Sequence, residues 1–203
     1  RGAVTDEYAI SGSTTSIVFT PAIYVKQDAA PAVGATVGSS WDNAFNTLED
    51  ALAVADARAT ASTPQVIWVA AGKYTPLNTT DASATFTIPA YTSVYGGFQA
   101  NEEALSHRYV EIYELTTSLS GAPLGARAEH CTHVVTVEPD AAGVLLDGFI
   151  IEDGKADGAS AATARGAGLV TVGAAVDPNA DVEIYNCMFR NNTAASSTSG
   201  LGQ

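Results

Sequence analysis

Val66-Ile67-Trp68-Val69-Ala70-Ala71-Gly72-Lys73-Tyr74 is the stretch whose reading decides the fold. Six apolar or β-branched residues run from Val66 to Ala71, and the run stops at Gly72. The same grammar recurs on both sides of it. Before it come Ile23-Tyr24-Val25 and Ser40-Trp41-Asp42-Asn43-Ala44-Phe45. After it come Val94-Tyr95-Gly96-Gly97-Phe98, His133-Val134-Val135 and Leu146-Asp147-Gly148-Phe149-Ile150-Ile151, then Asn186-Cys187-Met188-Phe189-Arg190-Asn191-Asn192. Short apolar runs that stop at Gly, Asn or Asp predict many short strands, assembled coil by coil.

One segment breaks the pattern. From Asp42 to about Ala59, Phe45, Leu48, Leu52 and Ala55 recur at helical steps, with Asp42 as the expected N-cap and Glu49 and Asp50 on the far side. A helix over 42–59 would lie as a lid on the first coil and hide its unpaired strand edge. Trp41 is expected to anchor it by packing. Residues 1–20 read as an N-terminal arm or the end of a preceding domain. Residues 21–203 read as a cap and first coils that continue beyond Gln203, because the tail from Asn192 is polar and carries no cap.

The 203 residues carry 22 acidic and nine basic side chains, a formal charge of −13. A field of that sign repels phosphate backbones and acidic surfaces, so nucleic acid is excluded as a partner and acidic polysaccharides are disfavoured. No apolar window approaches the ~18 residues of a membrane span, so no membrane insertion is expected within the chain. Cys131 and Cys187 fall in different strand phrases. Two coils of separation would put them ~10 Å apart, and a disulfide needs Cα atoms within about 7 Å, so no bond is expected.

Taken together and in order, these phrases resemble the right-handed parallel β-helix proteins of Bacteroidetes-type cell surfaces. They are similar to the pectate-lyase-like and polymorphic outer-membrane-protein-like repeat families. The matching residues run from Ile23 to Asn192: Ser40-Trp41 with Asn43-Ala44-Phe45 and Thr47-Leu48, Trp68-Val69-Ala70, Val94-Tyr95-Gly96-Gly97-Phe98, Leu146-Asp147-Gly148-Phe149 and Asn186-Cys187. The arm before Pro21 departs from the pattern, as does the lack of further Asn-Cys-x-Phe coils. The resemblance implies an all-β, right-handed parallel β-helix with an N-terminal capping α-helix. It implies a secreted or cell-surface protein, and leaves activity open because the fold hosts many functions.

A lyase needs a basic side chain beside carboxylates; Asp153, Lys155 and Asp157 with Arg165 come nearest, but in a Gly- and Ala-rich loop. A glycosidase needs two carboxylates across one cleft, and Asp147 with Glu138 or Asp140 is the nearest set. Asp147 before Gly148 reads more simply as a turn residue capping backbone amides. His130 and His133 flank Cys131 but lack a completing ligand, and His107 stands apart, so no metal and no cofactor are expected. Catalytic residues are accordingly none. The aromatic residues Trp68, Tyr74, Tyr91 and Tyr95 are the glycan-stacking candidates. Alternation puts Trp68 opposite Ile67 and Val69, so either it or they face the core.

The expected function is a non-catalytic secreted or surface module, an adhesin or structural element that contacts a polysaccharide or a cell-surface glycan. One alternative is a polysaccharide lyase or glycosidase with its site partly in further coils. The other is a surface assembly subunit that pairs with other surface proteins through residues 1–20.

Overall fold

The computed structural model describes residues 21–32, 34–77, 81–112, 114–123, 128–138, 141–158, 160, 163–171 and 181–195. In chain order these hold β1 (Ile23–Val25), a 3-10 turn at Trp41–Asn43, α1 (Leu48–Asp56), β2 (Gln65–Ala70), β3 (Gly72–Tyr74) and β4 (Phe86–Ile88). There follow β5 (Thr92–Phe98), a 3-10 turn at Leu105–His107, β6 (Thr117–Ser120), β7 (Val135–Val137), β8 (Val144–Asp147) and β9 (Ile150–Glu152). The last are β10 (Lys155–Ala156), β11 (Leu169–Thr171), β12 (Val182–Tyr185), β13 (Met188–Arg190) and β14 (Thr193–Ala194).

The strands gather into four small sheets, in the orders β1-β2-β5-β8-β12, β3-β6-β9-β13, β4-β7-β11 and β10-β14. Every strand pair in them is parallel. Consecutive strands therefore enter different sheets, as β8, β9 and β10 do with only two-residue corners between them. At those corners the backbone turns left-handed. Gly148 has φ 86° and Asp153 φ 62°; one layer on, Asn186 has φ 46° and Asn191 φ 54°. Gly, Asn and Asp tolerate that region best, which is why they end the strand phrases. The Asn192 side chain ties adjacent corners, accepting from Gly154 N (2.9 Å) and donating to Ile151 O (2.8 Å).

The core is a register effect. Ile23, Ile67, Val94, Leu146 and Ile184 share one inward row of the five-stranded sheet. Tyr74, Leu119, Ile151 and Phe189 share one in the four-stranded sheet, and Phe86, Val135 and Leu169 one in the third. Their inner members fuse into one apolar cluster.

The structure corrects the expected all-β, helix-capped right-handed parallel β-helix. The observed arrangement is a mixed, α/β-like one: among the described residues, several small parallel sheets with one α-helix built into the core. The helix spans Leu48–Asp56 rather than 42–59, and it packs against β1, β2 and β4. Leu48, Ala51, Leu52 and Ala55 belong to the same buried cluster as the strands, so the helix is a wall of the core and not a lid upon it. The reason is local. Asp42 lies in the 3-10 turn, and the cap is Thr47, whose Oγ1 accepts from Asp50 N at 3.3 Å. Phe45 stays outside the helix in a bridge to Val25. Residues 38–45 close the outer edge of β1 instead: Tyr24 N donates to Gly38 O (3.0 Å), Lys26 N to Phe45 O (2.8 Å) and Phe45 N to Tyr24 O (2.8 Å).

Candidate functional site

Because Ile67 and Val69 are fully buried, Trp68 points outward from β2. Register then sets Tyr24, Trp68, Tyr95, Asp147 and Tyr185 in one row across the outer face of the five-stranded sheet. Two more rings join it. Trp41 meets Tyr24 edge-on at 4.8 Å, and Phe98 stacks on Trp68 at 4.7 Å and 16°. Tyr24 meets Trp68 edge-on at 5.5 Å. The rings form a second, smaller apolar cluster that clamps the loop before α1 onto the sheet. Trp41 Nε1 donates to Glu102 O at 3.0 Å, whereas Trp68 Nε1 is buried with no acceptor among the described residues.

The rim of this face is polar and fixed. Glu102 is buried and accepts from Gln99 N (2.5 Å) and Asn101 N (3.1 Å), which folds the excursion that follows β5. That excursion delivers Arg108. Its guanidinium lies 5.0 Å over the Tyr95 ring, donates to Gly96 O and Asp147 O (both 3.3 Å), and forms an ion pair with the Asp147 carboxylate. Asn186 Nδ2 donates to the other Asp147 oxygen at 2.8 Å. The side chains of Arg108 and Asp147 are each only 9% exposed. Asp147 thus serves an ion pair and not the backbone amides expected of a turn residue.

A second polar group lies on the four-stranded sheet. Glu152 is 5% exposed; it accepts from Ser118 Oγ and from Arg190 Nε (both 2.7 Å), and Lys73 Nζ lies 3.4 Å away. Asp153 accepts from the same lysine (3.2 Å) and from Ser120 Oγ (3.0 Å). Burial pushes both carboxyls up, but the Ser118 and Arg190 bonds to Glu152, and the Lys73 and Ser120 bonds to Asp153, outweigh it and hold both below the ordinary range. Burial pulls the Lys73 amine down, yet Asp153 and Glu152 hold it above its usual value.

Of the residues singled out from sequence, Trp68 and Tyr95 come together as neighbours. Tyr74 goes into the core at 3% exposure; its hydroxyl donates to Ala70 O at 3.1 Å, and burial pushes its pKa up to about 12. Tyr91 sits at the corner before β5 with φ 53°, away from the ring cluster. Lys155 pairs with Asp157 at 2.8 Å while Asp153 pairs with Lys73, so the loop set is split, and Arg165 is exposed. Glu138 lines a groove of about 260 Å³ beside α1 with Glu49 and Asp56, apart from Asp147. Asp140 lies outside the described residues. His130 Nδ1 donates to Asp153 O (2.6 Å) and His133 Nδ1 meets Gly166 O (3.0 Å), so the two rings serve different carbonyls; His107 is exposed. Among the described residues no set of three His, Cys, Asp or Glu could hold a metal ion. Among the described residues no disulfide joins Cys131 and Cys187, and burial pushes the Cys187 thiol up to about 11.

Sequence reasoning grouped Phe98 with the other clustered aromatics, but missed Tyr24, Trp41, Arg108 and Asn186 as parts of the face. Tyr24 had a signal, since Ile23-Tyr24-Val25 repeats the apolar-aromatic-apolar order of Ile67-Trp68-Val69. Arg108 had none, lying 39 residues from Asp147.

Fold and site define a parallel-sheet protein with an aromatic outer face and a buried ion pair at its rim. No family model, curated protein or solved structure matches the chain.

Proposed function

We propose that the chain is a non-catalytic secreted or cell-surface module that contacts a neutral glycan across the Tyr24–Trp68–Tyr95 row. The row itself carries the reading. Aromatic side chains at successive rungs stand ~4.8 Å apart, so a linear sugar chain laid along them meets a ring or phenol edge at each step. Tyr24 and Tyr95 are half-buried and rigidly packed, which lowers the ordering cost of binding. Phe98 covers one face of Trp68 and Arg108 one face of Tyr95, so contact falls to ring edges and the two tyrosine hydroxyls. The −13 charge favours a neutral polymer over an acidic one.

The acids an enzyme would need are engaged elsewhere. Asp147 is tied to Arg108, Glu152 to Arg190 and Asp153 to Lys73. Lys73, held protonated, is a poor base for proton abstraction. The test is retention on immobilised neutral polysaccharides, with reducing-end and unsaturated-product assays in parallel. Retention without products is expected, with Tyr24→Ala and Tyr95→Ala each weakening it about tenfold, roughly the worth of one aromatic contact. No retention on any neutral polymer, or release of products, overturns the reading.

A further inference from the structure

The outward row of the five-stranded sheet has an internal period. In rung order it reads Tyr24 on β1, Trp68 on β2, Tyr95 on β5, Asp147 on β8 and Tyr185 on β12. Phenols therefore stand at the first, third and fifth rungs. The two rungs between them are filled from within the molecule. Phe98 stacks on Trp68 at 4.7 Å, and Arg108 and Asn186 take up both carboxylate oxygens of Asp147. Arg108 also covers one face of the Tyr95 ring, so that rung offers its phenol edge and hydroxyl. Asp147 is the one carboxylate in the row and Arg108 neutralises it, so the track carries no net charge of its own.

Neighbouring rungs are ~4.8 Å apart, so the phenols recur every ~9.6 Å. That spacing selects among neutral polysaccharides. A β-1,4-linked glucan or mannan is an extended two-fold ribbon in which alternate sugars show the same edge. Its two-sugar repeat is about 10 Å, one phenol-to-phenol step of this row. An α-1,4-linked glucan coils and a β-1,3-linked glucan winds into a wide helix. Neither brings an equivalent edge back at that spacing along a straight line. We propose that the row is a binding track for a β-1,4-linked neutral glycan lying across the strands, with the first, third and fifth sugars of the bound stretch on Tyr24, Tyr95 and Tyr185. The assignment rests on the reading of this face as a glycan surface and names the linkage that fits it. Each phenol hydroxyl both donates and accepts, as sugar hydroxyls do, while the ring edge packs on sugar C–H groups.

Isothermal titration calorimetry of the full 203-residue chain with cello-, manno-, malto- and laminari-oligosaccharides of two to six sugars tests this. Affinity for the cello- or manno-series is expected to rise at three sugars and again at five, where the second and third phenols come into reach, and to level off at six. The malto- and laminari-pentasaccharides should bind about tenfold more weakly. Tyr185→Phe keeps the ring and loses the hydroxyl. It should weaken the pentasaccharide about fivefold and leave the trisaccharide unchanged, because Tyr24 and Tyr95 still hold it. Tyr95→Phe should weaken both, with far-ultraviolet circular dichroism checking that each variant folds. A malto- or laminari-pentasaccharide bound as tightly through the same tyrosines overturns the linkage while the glycan face stands. An affinity that climbs evenly with every added sugar does the same. No binding of any series sinks the glycan face and this assignment together.

Discussion

At the residue scale, the side chains that matter most are polar groups taken out of water. Arg108 and Asp147 are nearly buried, with Asn186 and two carbonyls completing their bonds. Removing one partner leaves a buried charge, so Arg108→Ala should cost about 3–5 kcal/mol in urea denaturation. Arg108→Met with Asp147→Leu should recover most of that loss. The two tryptophans make a second contrast. Trp41→Phe discards the bond to Glu102 O and should cost about 1 kcal/mol beyond its lost packing. Trp68→Phe removes a donor that has no acceptor among the described residues and should cost less, measured the same way. The inward or outward sense of Trp68 was half legible in the sequence: alternation left two choices, and only the core's demand for Ile67 and Val69 decides between them. The Arg108–Asp147 pair was not legible, since strand periodicity says nothing about what a distant loop brings back.

At the scale of elements, the helix shows where sequence pattern stops. The apolar steps Leu48, Leu52 and Ala55 were read correctly, but extending them back to Asp42 took in a 3-10 turn and a bridging Phe45. Hydrogen bonding to the edge of β1 outcompetes helix there. Thr47 is the cap in the structure, so Thr47→Ala should lower stability by about 1 kcal/mol, while Asp42→Ala should leave helix content unchanged by circular dichroism. Corners were read better than helices, because only a few residue types accept the left-handed turn. Gly148 is the strict case: a Cβ there would lie 3.0 Å from both Gly96 O and Arg108 Nη1. Gly148→Ala should cost about 1–2 kcal/mol from the backbone alone. A larger loss in thermal melts would mean that the Arg108 pair is displaced as well.

For the whole molecule, charge and topology act together. Glu152 and Asp153 have depressed folded pKa values, so their stabilisation is present above their ordinary range, about 4, and is lost as pH falls through the lower folded values. Glu49 and Glu138 act oppositely. Burial chiefly, with Asp50 and Asp56 nearby, raises them, so they cost stability as pH climbs through their raised values. Urea midpoints across pH should therefore show Glu152→Gln weakest relative to the parent at neutral pH and converging with it in acid. Glu138→Gln should do the reverse, gaining on the parent as pH rises. The parallel strands, their turn residues and the apolar rows were all present in the sequence as a grammar. The sheet boundaries and the helix's place within the core were not, because both depend on which layers meet. The closure of β1 by residues 38–45 also bears on synthesis. That edge is sealed by segments made soon after it, before β2 exists. In the five-stranded sheet each later strand then pairs with an earlier one: β2 on β1, β5 on β2, β8 on β5. For that sheet, each new strand leaving the ribosome meets a neighbour already made, so its pairing can follow translation strand by strand.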